Sequence, residues 1–116
     1  MCTTPLFLCE QRLKKMASKM KGRDACLVEA ARIISGDRDV QYGKPEDNFL
    51  RIAKIWSVIL GVEINQEDVA MMMVGLKVAR YANKNGFQDD TWTDIAGYAA
   101  CGYEVGEKLH GISSIA

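Results

Sequence analysis

The chain has 116 residues, of which 48% are hydrophobic and 26% charged, and its formal net charge is zero. That is a one-domain length with enough apolar material for a core, so folding calls for no disulfide or metal staple. Six methionines, two prolines and an aromatic content of 8% favour helices over a β-sandwich or barrel.

The charge is unevenly placed. Residues 1–23 hold six basic groups against Glu10, whereas the remainder holds nine basic and fourteen acidic groups. A mildly acidic body offers no broad cationic face, so duplex nucleic acid is not an expected partner. The basic stretch 1–23 reads as a solvated N-terminal segment, followed by a single helical domain over 24–110 and a tail over 111–116. Cys2, Cys9, Cys26 and Cys101 have neither CxxC nor Cys/His spacing, and His110 is the single histidine. Free thiols in a reducing cytoplasm are the expected state, not a zinc site. Leu6-Phe7-Leu8 is too short for a signal-peptide core or a membrane span, so cytoplasmic residence is expected.

In chain order, Asp24 suits the cap of a first helix in which Val28, Ala31 and Ile34 recur at helical spacing and which Gly36 stops. Residues 36–44 are polar and glycine-bounded, the pattern of a loop. Pro45 then suits a first helical position, with Glu46 and Asp47 at the positive end of the helix dipole. Phe49, Ile52, Ala53, Trp56, Ile59 and Leu60 keep helical spacing up to Gly61.

The third helix has the clearest start. Asn65 is a cap with Asp68 three residues on, and Ile64 with Val69 makes a hydrophobic staple. The stretch to Ala82 is apolar nearly all round, which implies a central place or a covering partner subunit. Asn85-Gly86 is its expected end. A last helix is expected from Asp90 or Thr91, with Thr91 and Asp94 forming a second capping box. Gly97, Gly102 and Gly106 inside it predict close approach by a neighbouring helix, because each glycine costs a helix about 1 kcal/mol relative to alanine. The expected fold is therefore an all-α bundle of about four helices, completed by oligomerisation, with a dimer favoured. Trp56, Met72, Met73, Leu76 and Ile95 are its expected buried residues.

Candidate chemistry falls in three places. The loop holds Asp37, Arg38, Asp39, Gln41 and Tyr42, with Asn48 at the next helix start; Arg38 suits a phosphate and Tyr42 a base. The reading favoured by residue type alone is a surface turn with local hydrogen bonds, since Asp, Asn and Gly are turn residues. Lys77 and Arg80 share one face of the apolar third helix and need anionic partners. Asp90 and Asp94 can supply them, either as a lock between helices or as part of a ligand site. With Glu67 or Asp68, the same aspartates are candidate oxygen donors for Mg²⁺, although helix-start carboxylates have a simpler role at the dipole. Trp56 and Trp92 read as core residues. A Ser-His-Asp or Cys-His centre and a GxxxxGK[ST] phosphate loop have no support.

Three segments together carry a resemblance: GDRDVQYGKPEDNFLRIAKIWSVILG, EDVAMMMVGLKVARYANK and DDTWTDIAGYAACGYE. Over about residues 27–105 they resemble a family of small phage and prophage proteins known as a domain of unknown function. A fainter likeness, resting on Lys77, Arg80, Asp90 and Asp94, is to the MazG-like all-α nucleotide pyrophosphohydrolases. That likeness implies helix-borne carboxylates holding Mg²⁺ on a nucleoside triphosphate. The ExxE pair which that superfamily carries on an earlier helix stands here only as Glu104 and Glu107. The resulting expectation is a phage-type nucleotide-handling protein. The other reading is a non-catalytic accessory protein that sequesters a signalling nucleotide or inhibits a host protein.

Overall fold

The computed structural model describes residues 5–36, 43–83 and 86–111. The described residues form five α-helices and no strand: α1 (Pro5–Lys19), α2 (Gly22–Ser35), α3 (Pro45–Leu60), α4 (Gln66–Ala82) and α5 (Asp89–His110). The all-α expectation holds, with one helix more than expected. Much of the basic N-terminal segment is that additional helix, packed along α2. Gly22, at φ 74°, makes the turn between the two. The expected cap at Asp24 is displaced, because α2 already begins at Gly22 and Asp24 sits in its first turn.

The start of α3 at Pro45 and its end at Gly61 agree with the sequence reading. Gly61 adopts the left-handed conformation, and its N–H donates to the Ser57 carbonyl at 2.9 Å. The Asn65 box is complete: the Asp68 N–H donates to Asn65 Oδ1 at 2.8 Å, and the Asn65 N–H to Asp68 Oδ2 at 3.0 Å. Between these two local signals, the Ile64 N–H donates to Ser57 Oγ at 2.9 Å and Ser57 Oγ donates to the Ala53 carbonyl at 2.7 Å, which pins the α3–α4 turn. The Gln66 side-chain amide also donates to the Glu46 carbonyl at 3.1 Å, near the far end of α3. Both ends of α3 thus come near the first turn of α4, so α3 lies across that end of α4.

Helices α4 and α5 pair antiparallel, with Glu67 beside Gly106, Ala70 beside Gly102, Lys77 beside Asp94 and Tyr81 against Trp92. The glycines of α5 have the expected explanation. A Cβ added at Gly102 would lie 2.9 Å from the Ala70 Cβ, and one added at Gly106 would lie 2.5 Å from Glu67 Oε2. The core sits where α3 crosses this pair. Phe49 and Ala53 of α3 meet Val69 and Ala70 of α4 and Cys101 and Val105 of α5.

Three expected core residues are corrected: Trp92 is 48% exposed, with its ring edge-on to Tyr81, and the other two lie on α4. Met72 and Leu76 are 40% and 42% exposed, because α3 covers only the beginning of α4 and leaves its outer side open. Trp56, Met73 and Ile95 are half-buried, with Trp56 and Met73 packed against the core. Helix α4 also ends at Ala82 with Asn83 as its C-cap, before the expected Asn85-Gly86.

Candidate functional site

A cavity of about 470 Å³ opens between α2, the first half of α3 and the first half of α5. Its apolar wall comes from Ile33 and Ile34 of α2, Phe49 and Ile52 of α3, Met73 of α4 and Tyr98 of α5. Asn48, Thr93 and Asp94 provide polar atoms, and Gly43 with Pro45 forms part of the rim. Each helix contributes by its own periodicity. Asn48, Phe49 and Ile52 recur at three- and four-residue spacing on α3, and Asp94, Gly97, Tyr98 and Cys101 do so on α5. Gly97 keeps that face flat, since a Cβ there would stand 3.5 Å from Ile34 Cγ2.

Asp94 is the charged group among the described residues that line the cavity. Its Oδ2 lies 3.0 Å from Lys77 Nζ, with the lysine side chain 13% and the aspartate 29% exposed. The cation in the apolar helix thus has the partner that the sequence reading demanded. Asp94 meets α4 in place of the capping box expected with Thr91. The N-cap position of α5 is Gln88, no side chain caps it, and Thr91 is buried within the helix.

The other sequence candidates do not all converge. Arg80 and Asp90 are exposed and lie outside the Lys77–Asp94 bridge. Glu67 stands at the opposite end of the α4–α5 pair, where its Oε2 approaches His110 Nε2 at 3.3 Å. Glu67 faces Gly106, and at 1.5 Å per residue that position is about 18 Å along α5 from Asp94. Within one chain, Glu67 is therefore too far along the helix pair to share an ion with Asp94. No cluster of three or more His, Cys, Asp or Glu side chains suited to a metal occurs among the described residues. Arg38 and Tyr42 lie outside the described residues; Gly43, on the cavity rim, is the first described residue after them.

Sequence reasoning missed the cavity's apolar wall, for a definite reason. Ile34, Phe49, Met73 and Tyr98 look like core residues on four separate helices, and nothing local marks the gap between them. A second charged link ties the ends of the fold together: Lys108 Nζ donates to Glu46 Oε2 at 2.8 Å, joining α5 to the first turn of α3. That hydrogen bond holds the Glu46 carboxyl below the usual carboxylate range and raises the Lys108 ammonium above its ordinary value. No described helix is long and apolar enough to cross a membrane.

Five helices among the described residues, a largely apolar cavity and the Lys77–Asp94 pair at its edge define a small helical protein with a recess. The chain belongs to the family described as Domain of unknown function (DUF6378), which matches residues 25–106. It is 44% identical over 78 residues to the Gene 55 protein of Mycobacterium phage D29, covering 67% of this chain and 51% of that protein. To the Gene 55 protein of Mycobacterium phage L5 it is 49% identical over 74 residues, covering 63% of this chain and 47% of the relative. The chain thus spans about half the length of the curated relatives it matches. No solved structure matches it. The expected kinship with small phage proteins of unknown function is borne out, while the fainter MazG-like likeness gains no support from the family or the relatives.

Proposed function

We propose that this phage protein binds and sequesters a nucleotide-type small molecule, with the ring system in the cavity and the phosphates at its rim. The observation that carries the reading is the cavity itself. Its volume of about 470 Å³ lies in the range of small-molecule pockets. It joins the aromatic faces of Phe49 and Tyr98 to a few polar atoms on Asn48, Thr93 and Asp94. Apolar walls with a small number of convergent polar groups suit a planar heterocycle bearing amino or hydroxyl groups.

Asp94 sets the polarity of the ligand. One carboxylate oxygen is engaged by Lys77. The second has further lone pairs with which to accept from an amino or hydroxyl donor. A phosphate placed beside Asp94 would meet like charge, so phosphates belong at the rim formed by Gly43 and Pro45, next to exposed Lys44. Sequestration is favoured over hydrolysis because Glu67, the third proposed Mg²⁺ carboxylate, stands about 18 Å along α5 from Asp94.

Calorimetric titration with nucleosides, nucleoside triphosphates and cyclic nucleotides, with and without Mg²⁺, tests the proposal. Binding by wild type and loss of about 1.5–3 kcal/mol in a folded Asp94→Asn variant are expected, the size of a hydrogen bond to a charged group. An Arg38→Ala variant should weaken phosphorylated ligands while leaving nucleosides unaffected. Silence across the whole panel, or equal binding by wild type and Asp94→Asn, would remove the proposal. Turnover of a triphosphate with Mg²⁺ would replace sequestration by catalysis.

A further inference from the structure

We infer that the cavity selects guanine among the nucleobases, with Asp94 accepting from the ring N1–H and the 2-amino group and Asn48 donating to the 6-carbonyl. The inference deepens the nucleotide reading above and rests on it. It turns on the hydrogen-bonding sense of each polar group in the cavity. Among the described lining residues, Asn48, Thr93, Asp94 and Tyr98 carry side-chain oxygen or nitrogen. Thr93 and Tyr98 are hydroxyls, which rotate to donate or accept and so favour no particular ring edge. A carboxylate only accepts.

Lys77 fixes how that carboxylate is presented. Its ammonium, a donor only, holds Asp94 Oδ2 at 3.0 Å, while Oδ1 has no partner among the described residues. Oδ2 keeps a further lone pair, so Asp94 offers the cavity two adjacent acceptors. The apolar wall of Ile34, Phe49 and Ile52 lowers the local dielectric, so an acceptor of the ligand set against them is penalised more than in water. A ring edge with two neighbouring donors is what Asp94 asks for. Guanine has one, in N1–H and the 2-amino group. Adenine and cytosine set their amino group beside a ring-nitrogen acceptor, and uracil sets its N–H between two carbonyls. On those bases, one carboxylate oxygen faces a lone pair; on guanine both receive a donor, the paired geometry that makes carboxylate recognition strong.

Asn48 supplies the complementary sense from another helix. Its backbone N–H is used by the Lys44 carbonyl at 3.0 Å, whereas its half-buried side-chain amide has no partner among the described residues. That amide donates to the 6-carbonyl, the acceptor next to N1–H on the guanine ring. Asn48 stands on α3 and Asp94 on α5, so the base lies between the two helices. Phe49 follows Asn48 directly and Tyr98 lies one turn beyond Asp94, which brings an aromatic ring to the cavity beside each polar contact.

Calorimetric titration of the full chain with the monophosphates of guanosine, inosine, adenosine and xanthosine tests the inference, since the four ligands differ only in the base. Wild type should bind guanosine monophosphate about tenfold or more tighter than inosine monophosphate, which lacks the 2-amino group, and tighter still than adenosine monophosphate. Xanthine carries a carbonyl where guanine carries that amino group. In Asp94→Asn, Lys77 still claims the side-chain carbonyl, so the new amide nitrogen faces the ring and the preference should pass from guanosine to xanthosine monophosphate. Asn48→Ala should weaken guanosine and inosine monophosphates alike, by about threefold to tenfold. The guanosine–inosine comparison needs no substitution and decides the matter even if Asp94→Asn fails to fold. Equal binding of guanosine and inosine monophosphates, a preference for adenosine monophosphate, indifference to Asn48→Ala, or a folded Asp94→Asn that still prefers guanosine over xanthosine monophosphate would overturn this inference and leave the nucleotide reading standing. Binding of none of the four, with silence across the wider nucleotide panel, would overturn both.

Discussion

Gly102 of α5 faces Ala70 of α4 so closely that a Cβ on the glycine would stand 2.9 Å from the alanine Cβ. Two backbones in such contact bring Val69 and Val105 into full burial between them and α3. Gly102→Ala gains about 1 kcal/mol of helix propensity, yet it forces α4 and α5 apart at a cost of about 1–3 kcal/mol. The net expectation is a fall in melting temperature with helical content kept, read by thermal unfolding of the variant beside wild type. A variant as stable as wild type would mean that the helix pair has slack.

Substitution at Lys77 should be felt in stability as well as in any ligand binding. Lys77→Ala leaves Asp94, half-buried on the cavity edge, without the ammonium 3.0 Å away. A loss of about 1–3 kcal/mol in urea unfolding is expected, between the worth of an exposed pair and that of a fully buried one. Replacing both partners by Met and Asn should cost less than the two single losses added together, because neither charge is then left alone.

The Asn65–Asp68 box is a separate and local test. Asn65→Ala removes the acceptor for the Asp68 N–H at the start of α4 and should cost about 1 kcal/mol. Asn65→Asp should restore most of that, since a carboxylate accepts the same bond. Chemical denaturation of the two variants distinguishes a working cap from a decorative one.

The link between Glu46 and Lys108 predicts a pH dependence with a definite sign. Glu46 is held below its ordinary value by the Lys108 hydrogen bond, so its contribution is present above the ordinary carboxylate titration and lost as pH falls through the lowered value. Lys108 is raised by the same bond, so its contribution is complete below ordinary lysine titration and lost as pH rises through the raised value. Glu46→Gln should therefore lower the melting temperature slightly at about pH 7, with the difference closing as pH falls through the lowered carboxylate value. Both groups are solvent-accessible, so the effect is expected to be small and to weaken with added salt.

The ends of α3 and α4 were legible from residue order because their causes lie within a turn of chain. Pro45 at a first helical position, Gly61 with its left-handed cap, and the reciprocal bonds of Asn65 and Asp68 all act between near neighbours. The small residues of α5 likewise announced a close helix neighbour, although not that Ala70 would be the one. The approximate site was readable at Lys77, Asp94 and Asn48, because an ammonium in an apolar helix demands an anion and polar residues stand out against helical periodicity.

Elsewhere the crossing of distant segments decided. Asp94 had two local futures, a cap with Thr91 or a partner across the helix pair, and the register of α4 on α5 selected Lys77. Glu67 and Asp94 are both helix-borne carboxylates, yet antiparallel packing sets them at opposite ends of one helix pair. Met72 and Leu76 have the hydrophobicity of core residues, but α3 lies across only the first turns of α4 and leaves them in solvent. Helix caps depend on a few adjacent dihedral angles and bonds, whereas cavities and exposed faces depend on where whole helices come to rest against one another.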